Sequence, residues 1–449
     1  MDKNRGSFTG KIGFVLAAAG SAVGLGNIWR FPYLAAKYGG GIFLLVYIIL
    51  AVTFGFALMI GEIALGRKTG QSAIGAFAKL NKKYAFIGYL ASVVPMIILP
   101  YYSVIGGWVT KYMVMFTFGS GTAAADGKFF GNFTGEAVEP IIWFLIYIAL
   151  TSLVVLFGVE KGIEKVSKFL MPVLVLLSLF IAVYVCFMDG AWEGIVYYLK
   201  PDFQKFSATT VLAAMGQLFY SMSLAMGIMI TYGSYMKKDV SLESSVTQIE
   251  LFDTGIAFLA GLMMIPAVFA TMSPDALSAG PSFMFKTLPV VFDRMYGGQV
   301  IGAVFFAMVF LAALTSSISL METVVSIFCD KLKIGRKLCC LCVFVGTTLL
   351  GLVSCFGFSI LKNVKPLNMD LLTFFDFLSN SVIMPVVALL TCIFIGYVIK
   401  PKAIVDEVES SGKFTRRGLF VVMVKYIAPV FIVLILVSSV LDAFGIFKI

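Results

Sequence analysis

The 449-residue chain is 60% hydrophobic and only 13% charged, and its mean hydropathy is +0.99, so it is not a soluble globular domain. The net charge of +10 does not indicate nucleic-acid binding, because the lysines and arginines fall in short loops between apolar runs. The lack of histidine removes the usual proton shuttle and the commonest metal ligand. The composition predicts an all-α integral membrane protein that lies in lipid and binds no nucleic acid.

Eleven apolar runs are long enough to cross a bilayer, and we number them as spans 1 to 11. They cover residues 12–36, 42–65, 86–117, 139–157, 166–187, 208–236, 247–272, 297–328, 338–357, 370–399 and 418–446. Basic residues concentrate in the segment 1–11 and in every second loop after it. The positive-inside rule therefore predicts a plasma (inner) membrane protein with a cytoplasmic N-terminal segment and an external C-terminus.

Span 1 is interrupted by the stretch 20–32, whose sequence is GSAVGLGNIWRFP. Gly20, Gly24 and Gly26 propagate a helix poorly, and Asn27 and Arg30 are costly in lipid. Backbone groups freed at membrane depth need partners from protein or from a polar cavity. The stretch predicts an unwound helix at a buried site, with carbonyls for a cation and amides for an anion. The alternative is a glycine-rich face for helix packing.

Span 6 carries a similar gap at residues 221–227, with the sequence SMSLAMG. Spans 1 and 6 begin two consecutive sets of five helices, residues 12–187 and 208–399, and they cross the membrane in opposite directions. This pattern predicts a 5+5 inverted-topology repeat with the site between the two broken helices. Span 11 (418–446) falls outside the repeat. The connection 274–296 predicts either a lid over the mouth of the site or a simple covering loop.

Polar residues inside other spans add to this site. Span 8 carries Thr315, Ser316, Ser317 and Ser319, whose oxygens suit a hard cation such as sodium, although such hydroxyls also bond their own helix backbone. Asp253 in span 7 is an intramembrane carboxylate, which indicates function more often than a structural pair.

Two opposite charges are expected toward the outer side. Arg30 follows the break in span 1, and Asp376 lies early in span 10. They predict either an ion pair that opens and closes or a permanent buried pair.

Six motifs, spread over nearly the whole chain, are highly specific. They are the span 1 string ending in Arg-Phe-Pro (30–32), Gly39-Gly-Gly41, Gly61-Glu62 with Gly66-Arg67, Tyr101-Tyr102 with Trp108, the string QLFYSMS (217–223) and Thr315-Ser-Ser. Together they resemble the bacterial neurotransmitter:sodium symporter family, which has the LeuT fold. The resemblance implies an eleven-helix secondary transporter, not an enzyme, that couples inward sodium movement to solute uptake by alternating access.

The resemblance also implies two sodium (Na⁺) sites. The first would use the carbonyl of Ala22, the side chains of Asn27, Ser221 and Asp253, and the carboxylate of the substrate. The second would use the carbonyls of Gly20, Val23 and Ala312 and the hydroxyls of Thr315 and Ser316.

The implied substrate is an L-amino acid. Its carboxylate would meet the amides of Leu25 and Gly26 and the Tyr102 hydroxyl. Its amino group would meet carbonyls near Ser21, Tyr220 and Ser223, with Ser221 beside them. The side-chain pocket would consist of Ile98, Tyr102, Tyr220, Ser223, Met226, Ser316, Ser319 and Leu320.

The family's gates also have matches. Arg30 and Asp376 match the outer gate, with Tyr220 as its aromatic lid, and Arg5 and Asp330 match the inner gate, with Tyr235 and Glu322 nearby. Gly162 and Pro172, separated by nine residues, match a span 5 motif that resembles a local unwinding device for releasing the inner sodium.

One departure from the family concerns chloride. Asp253 and Ala257 stand where chloride-dependent relatives carry Asn and Ser, whereas Tyr47, Gln217 and Ser221 still match the chloride neighbourhood. A fixed carboxylate beside the first sodium would supply the negative charge that chloride supplies elsewhere. We therefore expect chloride-independent transport.

A second departure concerns the substrate. Gly24 stands where monoamine transporters carry Asp, so the substrate should bring its own carboxylate. The largely apolar pocket favours a large hydrophobic or aromatic L-amino acid, although its three serines leave smaller or hydroxylated side chains open. The alternatives are a sodium-coupled symporter of another small solute on the same fold, or a sodium-gated channel or receptor. We expect a monomer or a weak dimer.

Overall fold

The computed structural model describes residues 6–272 and 283–444, which are almost entirely helical. Within them, nine continuous helices are long and apolar enough to cross a membrane. They are Gly41–Thr69, Lys82–Thr117, Glu139–Leu156, Val159–Cys186, Leu242–Thr271, Gly298–Leu332, Arg336–Phe356, Leu371–Val398 and Arg417–Ala443. These helices are spans 2 to 5 and 7 to 11, of which span 5 begins earlier than predicted, at Val159.

Spans 1 and 6 are each built from two helices. Span 1 consists of Lys11–Ala22 and Gly26–Lys37, which meet at an angle of 52°. Span 6 consists of Ala208–Ser221 and Ile228–Ser234. In the break of span 6, Ser223 and Ala225 have positive φ angles of 53° and 58°. Positive φ is strained for residues with a β-carbon, so the surrounding structure must hold this break in place. Both predicted breaks are confirmed.

The broken helices lie at the centre of the bundle. The first half of span 1 packs on spans 7 and 8, and the two halves of span 6 pack on the two halves of span 2. Of the most apolar part of span 8, 67% is buried, against 28% for span 11. Span 8 therefore forms a central wall beside span 1, whereas span 11 lies at the periphery.

In the described ranges, five short α-helices connect the spans, namely Ala73–Leu80, Phe129–Gly135, Ala191–Leu199, Phe283–Arg294 and Lys402–Glu409. The predicted lid, 274–296, lies partly outside the described residues. Its described helix is anchored to span 3, because the Phe285 ring packs edge-on to Trp108 and Tyr112 at centroid distances of 5.8 and 5.2 Å.

Candidate functional site

The break in span 1 is held by polar partners rather than by helical hydrogen bonds. The Gly24 amide donates to Asn27 Oδ1 at 3.0 Å, and the Asn27 amide donates to the Gly24 carbonyl at 3.2 Å. The Leu25 amide donates to the Tyr102 hydroxyl at 3.3 Å. Because these contacts satisfy backbone groups that hydrocarbon would leave unpaired, the break is tolerated at membrane depth.

The carbonyl side of this break faces the hydroxyls of span 8. Ser316 Oγ lies 3.4 Å from the Gly20 carbonyl oxygen and 3.2 Å from that of Val23. Thr315 Oγ1 lies 3.1 Å from the Ala312 carbonyl oxygen, and a β-carbon on Gly20 would lie 3.2 Å from Thr315 Cβ. The five residues of the predicted second sodium set are therefore neighbours in a buried region. Their carbonyl and hydroxyl oxygens suit a hard cation.

Two side chains of the predicted first sodium set, Asn27 and Ser221, meet at the third, Asp253, which is fully buried, and Ala22 lines the adjoining cavity. Its carboxylate accepts hydrogen bonds from Asn27 Nδ2 and Ser221 Oγ, both at 2.7 Å, and from the Tyr47 hydroxyl at 3.1 Å. No lysine or arginine in the described part of the chain forms an ion pair with it. A buried carboxylate without a basic partner is strongly destabilising unless a cation or a proton neutralises it. The site therefore fits a sodium ion.

A small cavity of about 30 Å³ lies between the two breaks. Eleven of the twelve residues predicted to contact the substrate line it, namely Ser21, Leu25, Gly26, Ile98, Tyr102, Tyr220, Ser221, Ser223, Met226, Ser316 and Leu320. Ile228 also lines the cavity and was missed. The available signal for Ile228 was its position directly after Gly227, where the second half of span 6 begins. The cavity has room for about two water molecules, so it must widen to admit an amino acid.

The serines of the site bond to one another. Ser21 Oγ lies 2.7 Å from Ser319 Oγ and donates to Ser223 Oγ at 3.2 Å. Ser223 Oγ donates to the Ser21 carbonyl at 2.9 Å, and Ser319 Oγ donates to the Ser316 carbonyl at 2.7 Å. Ser319, the twelfth predicted contact, therefore lies behind the cavity wall. Because these hydroxyls already have partners, the apolar side chains dominate the recognition surface.

The Tyr220 ring separates this cavity from a larger one of about 350 Å³, which we call the vestibule. Arg30 and Asp376 both line the vestibule, and the Arg30 guanidinium lies 5.4 Å from the centroid of the Tyr220 ring. Asp376 Oδ1 instead accepts hydrogen bonds from the Tyr101 hydroxyl at 3.0 Å and from Asn380 Nδ2 at 2.6 Å. Arg30 and Asp376, both described, form no ion pair with each other, so of the two alternatives a permanent pair is wrong and a pair that opens and closes stays a prediction.

The opposite side of the cavity is closed by the N-terminal segment. The Phe8 ring packs edge-on to Phe14 and Tyr232, each at a centroid distance of 5.6 Å. Its backbone amide donates to the Tyr235 carbonyl at 3.1 Å. In the described part of the chain, this aromatic cluster closes the end of the site opposite the vestibule.

The predicted inner gate is seen in part. Arg5 lies outside the described residues, and Asp330 accepts a backbone amide of the connection after span 2 at 3.0 Å. Glu322 is fully buried, accepts the Tyr235 hydroxyl at 2.8 Å and forms an ion pair with Arg336. Arg336 is one of the basic residues in the loop after span 8, and the sequence analysis did not single it out. Its place at the start of span 9, close to an intramembrane glutamate, was the available signal.

The predicted unwinding motif of span 5 is helical in this conformation. A wide π-helical turn, Val159–Glu164, leads into the helix Lys165–Cys186, which contains Pro172. A β-carbon on Gly162 would lie 2.2 Å from a carbonyl oxygen of span 4, so close packing requires glycine there. The motif lies next to the second sodium set, because Met171 Sδ is 3.3 Å from the position of a Gly20 β-carbon.

Two facing helix breaks, two sets of hard oxygen donors and a small cavity closed at both ends define a secondary transporter of the LeuT fold. Its working parts are binding and gating groups rather than a reaction centre.

The chain belongs to the sodium:neurotransmitter symporter family, whose profile matches residues 5–122 and 134–445. The sodium-dependent transporter YhdH of Bacillus subtilis is 33% identical over 436 residues, covering 95% of this chain and 96% of that protein. A sodium-dependent transporter of Haemophilus influenzae is 30% identical over 455 residues, covering 98% and 99%. The crystal structure of MhsT in complex with L-phenylalanine matches with a TM-score of 0.88 and 35% identity, covering 97% of this chain and 100% of that one. This chain is therefore a multi-pass membrane transporter coupled to sodium, and it is not an enzyme.

Proposed function

We propose that this protein couples the inward movement of two sodium ions to the uptake of a large hydrophobic or aromatic L-amino acid, without chloride. The observation that carries the proposal is the break in span 1. There, Leu25 and Gly26 line one small cavity, and the residues of the two predicted sodium sets lie beside it. Amides on one side and cation ligands on the other fit a zwitterion whose carboxylate lies against sodium.

The glycines of the break support a substrate that carries its own carboxylate. A β-carbon on Gly24 would lie 2.6 Å from Ser316 Oγ and 3.0 Å from the Tyr102 hydroxyl. A β-carbon on Gly26 would lie 2.5 Å from the Tyr220 ring. Neither position has room for an acidic side chain that could bind an amine. The negative charge opposite the first sodium must then come from the substrate and from Asp253.

The walls of the cavity support a hydrophobic side chain. Ile98, Met226, Ile228 and Leu320 line it, and the adjoining serines already bond to one another. Burial of apolar area is worth about 25 cal/mol per Å², so large side chains gain most from such a wall. The binding of L-phenylalanine by MhsT agrees with this preference.

The surroundings of Asp253 support chloride independence. Its carboxylate already accepts hydrogen bonds from Ser221 and Tyr47, and Gln217 Nε2 donates to the Gly26 carbonyl at 2.7 Å. Ala257 offers no hydroxyl. The donors that would bind an anion are therefore engaged, and the buried negative charge would repel one.

Two sodium ions supply enough energy for strong accumulation. One charge crossing about 100 mV is worth about 2.3 kcal/mol. A tenfold concentration ratio adds about 1.4 kcal/mol per ion, so two ions give about 7 kcal/mol per zwitterion. We place the protein in the plasma (inner) membrane with a cytoplasmic N-terminus and an external C-terminus. The vestibule then faces outward.

The test is an uptake screen in proteoliposomes. A labelled aromatic amino acid is added with an inward gradient of sodium or of potassium, in competition with each of the twenty L-amino acids and with a panel of sugars and nucleobases. We expect saturable uptake with sodium only, two positive charges moved per substrate, and strongest competition by phenylalanine, tryptophan, tyrosine, leucine and methionine. Competition by a sugar or nucleobase alone would indicate a symporter of another solute, and continuous single-channel currents would indicate a channel.

A further inference from the structure

A third cavity, of about 430 Å³, lies far from the transport site, where span 10 ends and span 11 begins. We call it the basic pocket, and its charged members are Lys400, Lys402, Arg417 and Lys425. Its other walls include Tyr397 and Val421. Among the described residues, no acidic side chain lines it, so four positive charges converge on one open cavity.

These charges have few partners. Arg417 pairs with Glu409, which lies outside the pocket, at 3.3 Å. Lys400, Lys402 and Lys425 form no ion pair with any carboxylate in ranges 6–272 and 283–444. Basic groups gathered without counterions repel one another, so the pocket favours an anion.

The depth of Lys425 indicates what kind of anion this is. It lies eight residues after Arg417 along span 11, which corresponds to about 12 Å of helix. Its ammonium group lies 5.7 Å from the centroid of the Tyr397 ring, and the Tyr397 hydroxyl donates to the Lys425 carbonyl at 2.6 Å. Tyr397 and Tyr426 are both more than half exposed, with exposures of 53% and 59%. A lysine and tyrosines at this depth are typical of the headgroup boundary of a bilayer.

The outer walls of the pocket continue into an apolar surface. On span 11, Val422 and Val430 are 46% and 61% exposed, respectively. A soluble phosphate ester would gain nothing from this surface, whereas lipid acyl chains would cover it. The pocket also lies at the end of the bundle that carries most of the loop lysines and arginines.

We propose that the basic pocket binds the headgroup of an anionic phospholipid. The phosphodiester lies among the four basic side chains. Lys425 contacts it from the side nearer the bilayer interior, and the acyl chains run along span 11. Basic pockets between transmembrane helices recognise anionic lipids through this combination of charge and adjoining apolar surface. The proposal is independent of the substrate and of the chloride requirement.

The test uses the purified full-length protein in detergent, mixed with equal amounts of phosphatidylglycerol and phosphatidylcholine, with bound lipid measured by native mass spectrometry. We expect the wild type to retain phosphatidylglycerol preferentially. Lys425→Gln and Lys402→Gln should each weaken its retention about fivefold, because one basic group at the membrane surface contributes about that factor. Lys413→Gln, the same change at an exposed position outside the pocket, should retain lipid like the wild type.

Two further measurements distinguish a bound lipid from a soluble phosphate ligand and from misfolding of the variants. Inorganic phosphate at millimolar concentration should not displace the lipid, and sodium-dependent uptake in phosphatidylcholine vesicles should be equal in wild type and variants, which shows that they fold. Displacement by phosphate would overturn the proposal in favour of a soluble phosphate ligand. Equal retention of the two lipids by the wild type, or equal loss in Lys413→Gln and the pocket variants, would also overturn it.

Discussion

Asp253→Asn tests whether a fixed carboxylate takes the place of chloride. The wild-type side chain is fully buried and accepts three hydrogen bonds, without a basic partner in the described structure. The substitution removes one charge beside the first sodium and keeps the shape. At about 4 Å and an effective dielectric constant of about 20, this charge pair is worth about 4 kcal/mol. The amide oxygen of the new asparagine still offers a dipole, so we expect sodium binding to lose about 2–4 kcal/mol of free energy. This loss corresponds to a decrease of about 30- to 1,000-fold in sodium affinity.

The assay is amino-acid uptake in proteoliposomes as a function of sodium concentration, in chloride and in gluconate. The wild type should perform equally in both anions, whereas Asp253→Asn should need far more sodium and regain part of its activity in chloride. Asp406→Asn makes the same chemical change on an exposed face of the helix Lys402–Glu409 and should match the wild type. Wild-type uptake that collapses in gluconate, or an Asp253→Asn variant with unchanged sodium dependence, would refute the reasoning.

Three further substitutions test the rest of the site. Gly24→Ala places a β-carbon 2.6 Å from Ser316 Oγ, so substrate affinity in a binding assay should fall at least about tenfold. An unchanged affinity would show that position 24 has room for a side chain. Ser316→Ala removes one oxygen of the second sodium set, and sodium affinity should fall about tenfold, whereas Ser317→Ala, which faces span 4, should leave it unchanged. Arg336→Ala leaves Glu322 buried without its cation, so the free energy of unfolding, measured by thermal denaturation, should fall by about 3–5 kcal/mol. The double variant with Glu322→Gln should recover most of this loss. A double variant as unstable as Arg336→Ala would contradict the pairing.

The spans and their breaks could be predicted because the membrane allows few exceptions. Apolar runs of sufficient length become helices in hydrocarbon, and a break needs glycines and polar side chains to survive there. The strings around Gly24 and Ser223 met both conditions. Asp253 stood out for a related reason, since a carboxylate in an apolar span needs a partner.

Other features depend on which side a residue faces. Ser316 and Ser319 are three residues apart, about one helical turn, and share a helix face. Ser316 nevertheless lines the cavity, whereas Ser319 lies behind the cavity wall. The partnership of Arg336 with Glu322 depends on how the connection after span 8 turns back. Spacing along the chain contains neither distinction.

The two ends of the site are closed by contacts of different strength, and this difference sets the direction of access. Toward the vestibule, the Tyr220 ring is held by the Arg30 guanidinium at 5.4 Å, a contact worth about 0.5–2 kcal/mol. An equilibrium opposed by about 2 kcal/mol still opens for a few per cent of the time, because about 1.4 kcal/mol corresponds to a factor of ten. Toward the other end, opening must separate the buried rings of the Phe8 cluster, and any movement that takes Arg336 from Glu322 while this glutamate stays buried costs about 3–5 kcal/mol. The empty transporter should therefore open often toward the vestibule. Opening of the other end must draw on the binding energy of substrate and sodium. This dependence on bound substrate and sodium is the condition for coupled rather than leaky transport.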